Sequence, residues 1–131
     1  MRLYPPAWGL PREAVEDDEI CGHRIPAGAM ISLSQWVTHR HPEFWDDPED
    51  FRPERFSPDQ VAARHPFAYF PFGGGPRVCI GRNLALLEAP LILGQLLSRF
   101  RLRLAGPEPV PDTTFTLRPL GGLPMHLDRR G

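Results

Sequence analysis

The residues of this 131-residue chain best able to do chemistry lie in one stretch, Phe72-Gly73-Gly74-Gly75-Pro76-Arg77-Val78-Cys79-Ile80-Gly81. A single cysteine stands at the end of a glycine-rich turn, just before an apolar segment with helical spacing. Amides aimed outward at a helix N-terminus, with the positive end of the helix, would stabilise a thiolate there. Hydrogen bonds to the sulfur would also temper its donation to a bound metal. Glycines at 73, 74, 75 and 81 allow close backbone approach and positive φ, as a flat ligand lying over the loop would require. Arg77, two residues from the sulfur, is a fixed cation suited to a carboxylate. On the residues alone three readings stay open: a phosphate-binding turn, a nucleophilic cysteine or a metal thiolate. The first lacks the Lys-Ser/Thr ending of a phosphate loop. The second needs a positioned base, and His65 is the only histidine nearby in sequence.

The elements around this loop must hold it in place. After it, Arg82 to Phe100 is the one long helical candidate, with Leu84, Leu87, Leu91, Ile92, Leu96 and Leu97 forming a broad apolar face. Pro90 would clash with the Leu86 carbonyl at a cost of about 3 kcal/mol, so the helix is expected to bend near residue 89 or to form two pieces. Before the loop, residues 1–11 read as extended and irregular. Residues 19–34 read as a β-hairpin turning at Pro26-Ala27-Gly28. A short helix is expected over Trp36 to His41, then a proline-punctuated meander to Pro71. At the far end, residues 100–104 alternate like an edge strand. Residues 113–117 and 123–127 read as a closing hairpin joined through Gly121-Gly122.

Composition narrows the function classes. The formal net charge of −1 argues against a nucleic-acid binder, whose affinity rests on excess Lys and Arg. The chain has no apolar run of about 18 residues that could span a bilayer, and residues 1–6 lack the apolar stretch of a secretory signal. All 15 basic residues are Arg, which reads as a GC-rich, bacterial genome signature. Together these predict a cytoplasmic, bacterial protein. Cys21 and Cys79 are the only cysteines, so each thiol needs its own explanation; Cys21 reads as a small packing residue. His23, His39 and His41 with Cys21 lack the paired short spacings of a zinc site. Residues 57–105 carry six Arg and two acids, against six Arg and eleven acids in residues 1–56, so a positive face near Cys79 is expected.

The loop resembles the haem-binding signature of the cytochrome P450 family, Phe-x-x-Gly-x-Arg-x-Cys-x-Gly, at Phe72, Gly75, Arg77, Cys79 and Gly81. Residues Phe51 to Phe56 resemble the family's Pro-Glu-Arg-Phe meander. Arg2-Leu3-Tyr4-Pro5-Pro6 resembles the sequence that follows its Glu-x-x-Arg helix. The resemblance implies a haem-thiolate monooxygenase holding haem b, with Cys79 as axial ligand and catalytic centre. By the same resemblance Arg77 and Arg12 would bind haem propionates, Phe72 would pack beside the sulfur and Gly81 would let the next helix run close. Arg2 and Arg55 would join a buried Glu-Arg-Arg network, and Ala7, Trp8 and Phe115 would line an apolar substrate pocket.

The implied fold class is α+β: the C-terminal portion of a mainly helical fold, with residues 1–131 as one partial domain. Its parts would be a β-hairpin, a short helix, a meander, the cysteine loop, a long helix and a closing hairpin. Electrons would come from NAD(P)H through a ferredoxin, flavodoxin-type or reductase partner meeting Arg77 and Arg82. The family's central oxygen-activating helix and the Glu of Glu-x-x-Arg have no counterpart in these residues. Met1 therefore reads as an internal methionine or a displaced start. The expectation is that the chain alone neither holds haem stably nor oxygenates substrate, and the second reading is a truncated or degraded remnant.

Overall fold

The computed structural model describes all residues, 1–131, as two compact units, Met1–Pro71 and Phe72–Gly131.

The first unit opens with four short strands, β1 (Leu10–Glu13), β2 (Asp18–Ile20), β3 (His23–Ile25) and β4 (Met30–Leu33). They make two nested antiparallel pairs: β2 with β3, and β1 with β4 in register Leu10↔Leu33 to Glu13↔Met30. This corrects the single hairpin expected around Pro26-Ala27-Gly28. The tight turn is Cys21-Gly22, where both residues have positive φ (51° and 80°), as a two-residue hairpin turn of matching twist requires. Pro26 has no N–H with which to continue the inner ladder. The chain therefore swings out, Gly28 donates to Ala14 O at 2.8 Å, and β4 pairs with a segment expected to be largely irregular.

Helix α1 (Gln35–Thr38) starts at Ser34, whose hydroxyl accepts from Val37 N at 3.3 Å. A second helix, α2 (Pro58–Ala63), forms inside the expected meander. Proline sits at its first position, where the missing N–H costs nothing, and Asp59 faces the positive helix end. The buried centre of this unit is aromatic and cationic. Trp45, 1% exposed, lies under the guanidinium groups of Arg2 and Arg64, 5.1 and 4.0 Å from its ring. Phe56 and Tyr69 pack against it, and its Nε1 donates to Ala68 O at 3.2 Å.

In the second unit, α3 (Arg82–Arg99) follows the glycine-rich loop as one uninterrupted 18-residue helix that includes Pro90, so the two-piece alternative does not form. Strand β5 (Phe100–Leu104) pairs antiparallel with the last strand, and the two-residue strands β6 (Pro111–Asp112) and β7 (Arg118–Pro119) pair between them. That last strand, β8 (Met125–Arg129), meets β5 in register Phe100↔Arg129 to Leu104↔Met125. The expected closing hairpin is thus corrected: residues 113–117 are a connection, not a strand. Asp112 Oδ1 accepts from the Thr114 amide (3.0 Å) and hydroxyl (2.6 Å), a local side-chain-to-backbone turn that takes the chain out of the extended state.

Candidate functional site

The cysteine loop closes on itself. Cys79 N–H donates to Phe72 O at 2.9 Å and Val78 N–H to Gly75 O at 3.1 Å, so the first and eighth residues of the stretch are drawn together. Gly73 and Gly75 supply the left-handed turns (φ 72° and 67°) that an L side chain resists. Gly74 is extended, φ −158°, and needs no such freedom. At Gly81, φ is −81° and a Cβ would meet only Cys79 Sγ, at an ordinary contact distance of 3.8 Å, so neither backbone conformation nor space within this chain demands glycine there. Arg82 N–H donates to Cys79 O at 3.2 Å and Ala85 N–H to Gly81 O at 2.9 Å, so α3 starts directly under the cysteine.

Cys79 is exposed, and so are its neighbours Val78 and Ile80, the latter fully. Arg77 is exposed on a single 3-10 turn, Gly75–Arg77, and Phe72 is half-buried. No three His, Cys, Asp or Glu side chains come together to hold an ion. Any metal at Cys79 would therefore take one protein ligand from this chain and bring its other ligands with it. A planar macrocycle does so, and an accessible cysteine sulfur flanked by glycine and apolar side chains fits one.

Arg2, Arg12, Arg55, Ala7 and Trp8 belong to the first unit; Phe72, Arg77, Cys79, Gly81 and Phe115 belong to the second. Arg2 is 5% exposed, and its guanidinium donates to the carbonyls of His39 (3.0 Å), Pro48 (2.5 Å) and Asp50 (2.8 Å). The buried charge of Arg2 is therefore hydrogen-bonded to backbone, which lowers its cost without supplying a counter-charge. Burial and then the neighbouring Arg55 and Arg40 hold the Arg2 pKa below its ordinary value. Arg55 donates to Asp47 O at 2.9 Å, while its Nε is buried with no acceptor. Two guanidinium groups in electrostatic contact and an idle buried N–H make a position suited to a carboxylate. Arg12 lies in β1, half-buried, and reaches only Pro11 O. Trp8 and Phe115 are 38% and 89% exposed, Phe115 on the connection between β6 and β7.

Sequence reasoning missed the group at the centre of the first unit. His39 is fully buried between Tyr69 and Phe70, and its Nε2 accepts from Phe70 N at 3.0 Å. Burial above all pushes its pKa down to about 4, and the cations Arg2 and Arg40 add to the shift. A lone histidine between threonine and arginine carries no signal of this. The alternation of aromatic and Arg residues over 36–70 does hint at a stacked cluster. An open cleft of about 610 Å³ beside it is lined by Arg2, Tyr4, Phe51, Phe56 and Tyr69 among others.

A family model described as Cytochrome P450 matches residues 1–124. The chain belongs to the cytochrome P450 family. Among curated P450 relatives, thromboxane-A synthase of Macaca fascicularis is 44% identical over 99% of this chain and 25% of its own length. Cytochrome P450 4d2 of Drosophila melanogaster is 42% identical over 99% of the chain and 26% of its own. Among solved structures, the retinoic acid-bound cyanobacterial CYP120A1 superposes with a TM-score of 0.92 at 37% identity, covering 98% of this chain and 31% of that one. The chain thus spans about a quarter of the length of the curated relatives it matches. The α+β fold expected of a P450 C-terminal portion is the one observed.

The bacterial, cytoplasmic placement is overturned. Curated relatives matched over nearly the whole chain come from Macaca fascicularis, Mus musculus, Drosophila melanogaster and Oncorhynchus mykiss. An all-arginine composition reports codon usage, which varies within as well as between kingdoms. On membranes the structure says only that no helix is long and apolar enough to cross one.

Proposed function

We propose that this chain is the cysteine-bearing part of a haem-dependent monooxygenase, with Cys79 as the axial thiolate of haem b. One observation carries the reading: an exposed, lone thiol on a self-closed glycine loop, inside the five-residue family signature. Haem, when bound, supplies the one-electron and dioxygen chemistry that puts one oxygen atom into an unactivated C–H bond. The chain's own residues hold and tune it. Gly73 and Gly75 supply the left-handed backbone that closes the loop beneath the sulfur, and Gly81 leads directly into α3. The α3 N-terminus lies directly beneath the loop. Arg77 and, from the first unit, Arg12 are the cations for two propionates, and Phe72 shields one side of the sulfur.

Ala7 and Trp8 in the first unit, and Phe115 in the second, are each proposed as substrate-contacting residues on the family resemblance. The cyanobacterial relative has retinoic acid bound, which supports a long, largely apolar substrate here. Electrons from NAD(P)H would arrive through a ferredoxin, flavodoxin-type or reductase partner meeting Arg77 and Arg82, the exposed cations nearest Cys79 in sequence. Arg2 and Arg55 are proposed to close an ion network on a carboxylate from elsewhere in the fold, with residues 1–131 forming part of one larger domain.

A second reading, a remnant without activity of its own, is favoured by the exposure of α3, where Leu84, Leu87 and Leu91 are 59–64% accessible. The test is the ferrous carbonyl spectrum of the protein translated with its upstream reading frame, beside that of the 131-residue chain. A red-shifted thiolate band is expected in the first, is absent in the second, and is lost on Cys79→Ser. A band that survives Cys79→Ser removes Cys79 as the ligand. A frame closed immediately upstream leaves the remnant reading.

A further inference from the structure

Two histidines of the first unit hold the same short stretch of backbone, and both hold it by accepting. His39 caps the end of α1, fully buried, and its Nε2 accepts the Phe70 N–H at 3.0 Å across 31 residues of chain. His65 is exposed, and its Nδ1 accepts the Phe67 N–H at 3.2 Å. That second bond reaches two residues along the chain, as an Asn or Asp side chain does in a turn, and it caps the 3-10 turn Pro66–Ala68. Between them Ala68 O accepts from Trp45 Nε1, a bond with no titratable partner. Phe70 lies two residues before Phe72, so this stretch leads into the cysteine loop.

A ring nitrogen accepts only while it carries no proton, and an imidazolium donates from both nitrogens. Once protonated, either ring would turn an N–H towards the amide N–H it had held, and that amide would lose its partner. Around His39, burial above all opposes the proton, and Arg2, Arg40 and the chain's amino terminus oppose it further; the Arg2 backbone carbonyl, which accepts from the ring, favours it. Tyr69, packed 5.1 Å from the ring, is kept neutral by burial. His65 stacks on Phe44, with ring centres 6.1 Å apart. It shares a cleft with Glu43 and Asp46, which favour its proton, and with Arg55 and Arg64, which oppose it.

We propose that the unprotonated rings of His39 and His65 latch residues 65–70, and that a proton on either ring frees the amide it holds, so that acid loosens the entry to the cysteine loop while the rest of the first unit stays folded. The latch has two points, one buried and reaching across the unit, the other exposed and local. Each point answers to the titration of its own ring.

The experiment is amide hydrogen exchange of the 131-residue chain, read by NMR from neutral pH downwards and corrected for intrinsic rates. The side-chain ¹⁵N shifts of both histidines are followed in the same sample. Protection of the Phe67 amide is expected to fall roughly tenfold as His65 titrates, and that of Phe70 as His39 titrates, each the loss of about one hydrogen bond. The Gly28 amide, bonded to Ala14 O with no histidine involved, keeps its protection throughout. His65→Asn and His39→Gln each place a side-chain oxygen that does not titrate at the accepting position, and each is expected to keep its own amide protected at every pH. The proposal is overturned if either amide is unprotected at neutral pH, if its protection ignores its histidine's titration, or if the variants lose protection as the unsubstituted chain does. A simultaneous loss at Gly28 overturns it too, because the unit then opens as a whole. Should a variant fail to fold, the three amides of the unsubstituted chain, set against the two titrations, decide alone.

Discussion

The two units solve the problem of burial differently. In the first, Trp45, Ala68, Gln35, His39, Arg2 and Pro5 are buried, and the guanidinium of Arg2 is tied to three carbonyls spread over residues 39–50. In the second, Leu117 is the one buried residue, and α3 leaves Leu84, Leu87, Leu91, Ile92 and Leu93 more than half exposed. A helix that is apolar on most sides belongs inside a larger fold. The difference teaches that the chemistry-bearing half of this chain depends on surface supplied from outside it, while the meander half carries its own lock.

Replacing a residue of that lock should have the largest effect. Trp45→Ala removes a buried indole with its stacked cations, and is expected to cost the first unit about 3–5 kcal/mol in chemical denaturation. A loss below about 1 kcal/mol would erase the contrast between the units. Next comes Arg2→Leu, which strands three carbonyls at once and should cost about 2–4 kcal/mol by the same measurement. An unchanged midpoint would mean that water replaces the guanidinium freely.

The comparison can also be sharpened with pH. His39 titrates near 4 when folded and near its ordinary 6.5 when unfolded, so the unfolded state binds the extra proton between those values. Stability of the first unit is therefore full above pH 6.5 and falls as pH drops towards 4, by about 3 kcal/mol at most. His39→Gln should flatten that slope, and a slope that persists would place the titration elsewhere. In the second unit the shift has the same direction but lies at lower pH. Asp112 is held down to about 2, first by the Thr114 hydroxyl and amide and then by Arg118. Its contribution is present above the ordinary aspartate value and is lost as pH falls through 2, so between pH 6.5 and 4 only the first unit should respond.

A smaller effect is expected at the loop. Gly75→Ala forces a left-handed φ of 67° on a side chain, at about 1–2 kcal/mol, and should speed exchange of the Val78 amide that bonds Gly75 O. The smallest stability change should come from substituting Leu84, Leu87 and Leu91 together by Ser, within about 0.5 kcal/mol per site. The same substitution should reduce self-association in sedimentation, because exposed apolar patches of this size drive it. A large destabilisation would show that α3 has a partner within its own unit.

Local chemistry made much of this legible in advance. The cysteine loop, the long helix after it and the β5 strand follow from glycine spacing, helical periodicity and alternation, all of which act over a few residues. A short helix near Trp36 also forms, but over Gln35–Thr38 rather than Trp36 to His41, and its Ser34 cap was not anticipated. Strand pairing was misjudged at both ends, because a sequence shows which residues favour strands but not which strand each one meets. β4 joins β1 across a nested hairpin, and β8 joins β5 across some twenty residues. Those partners were decided by Cys21-Gly22 adopting positive φ and by Asp112 capping a turn.

The candidate site divides along the same line. The sequence by itself determined the thiol, its glycines and the arginine two residues away, because they share one loop whose hydrogen bonds are local. Only the tertiary structure decided that Arg2 is satisfied by carbonyls 37 to 48 residues distant, that Trp45 lies beneath two guanidinium groups, and that His39 is buried and neutral. Those properties depend on desolvation and on contacts between remote segments, which no local pattern encodes.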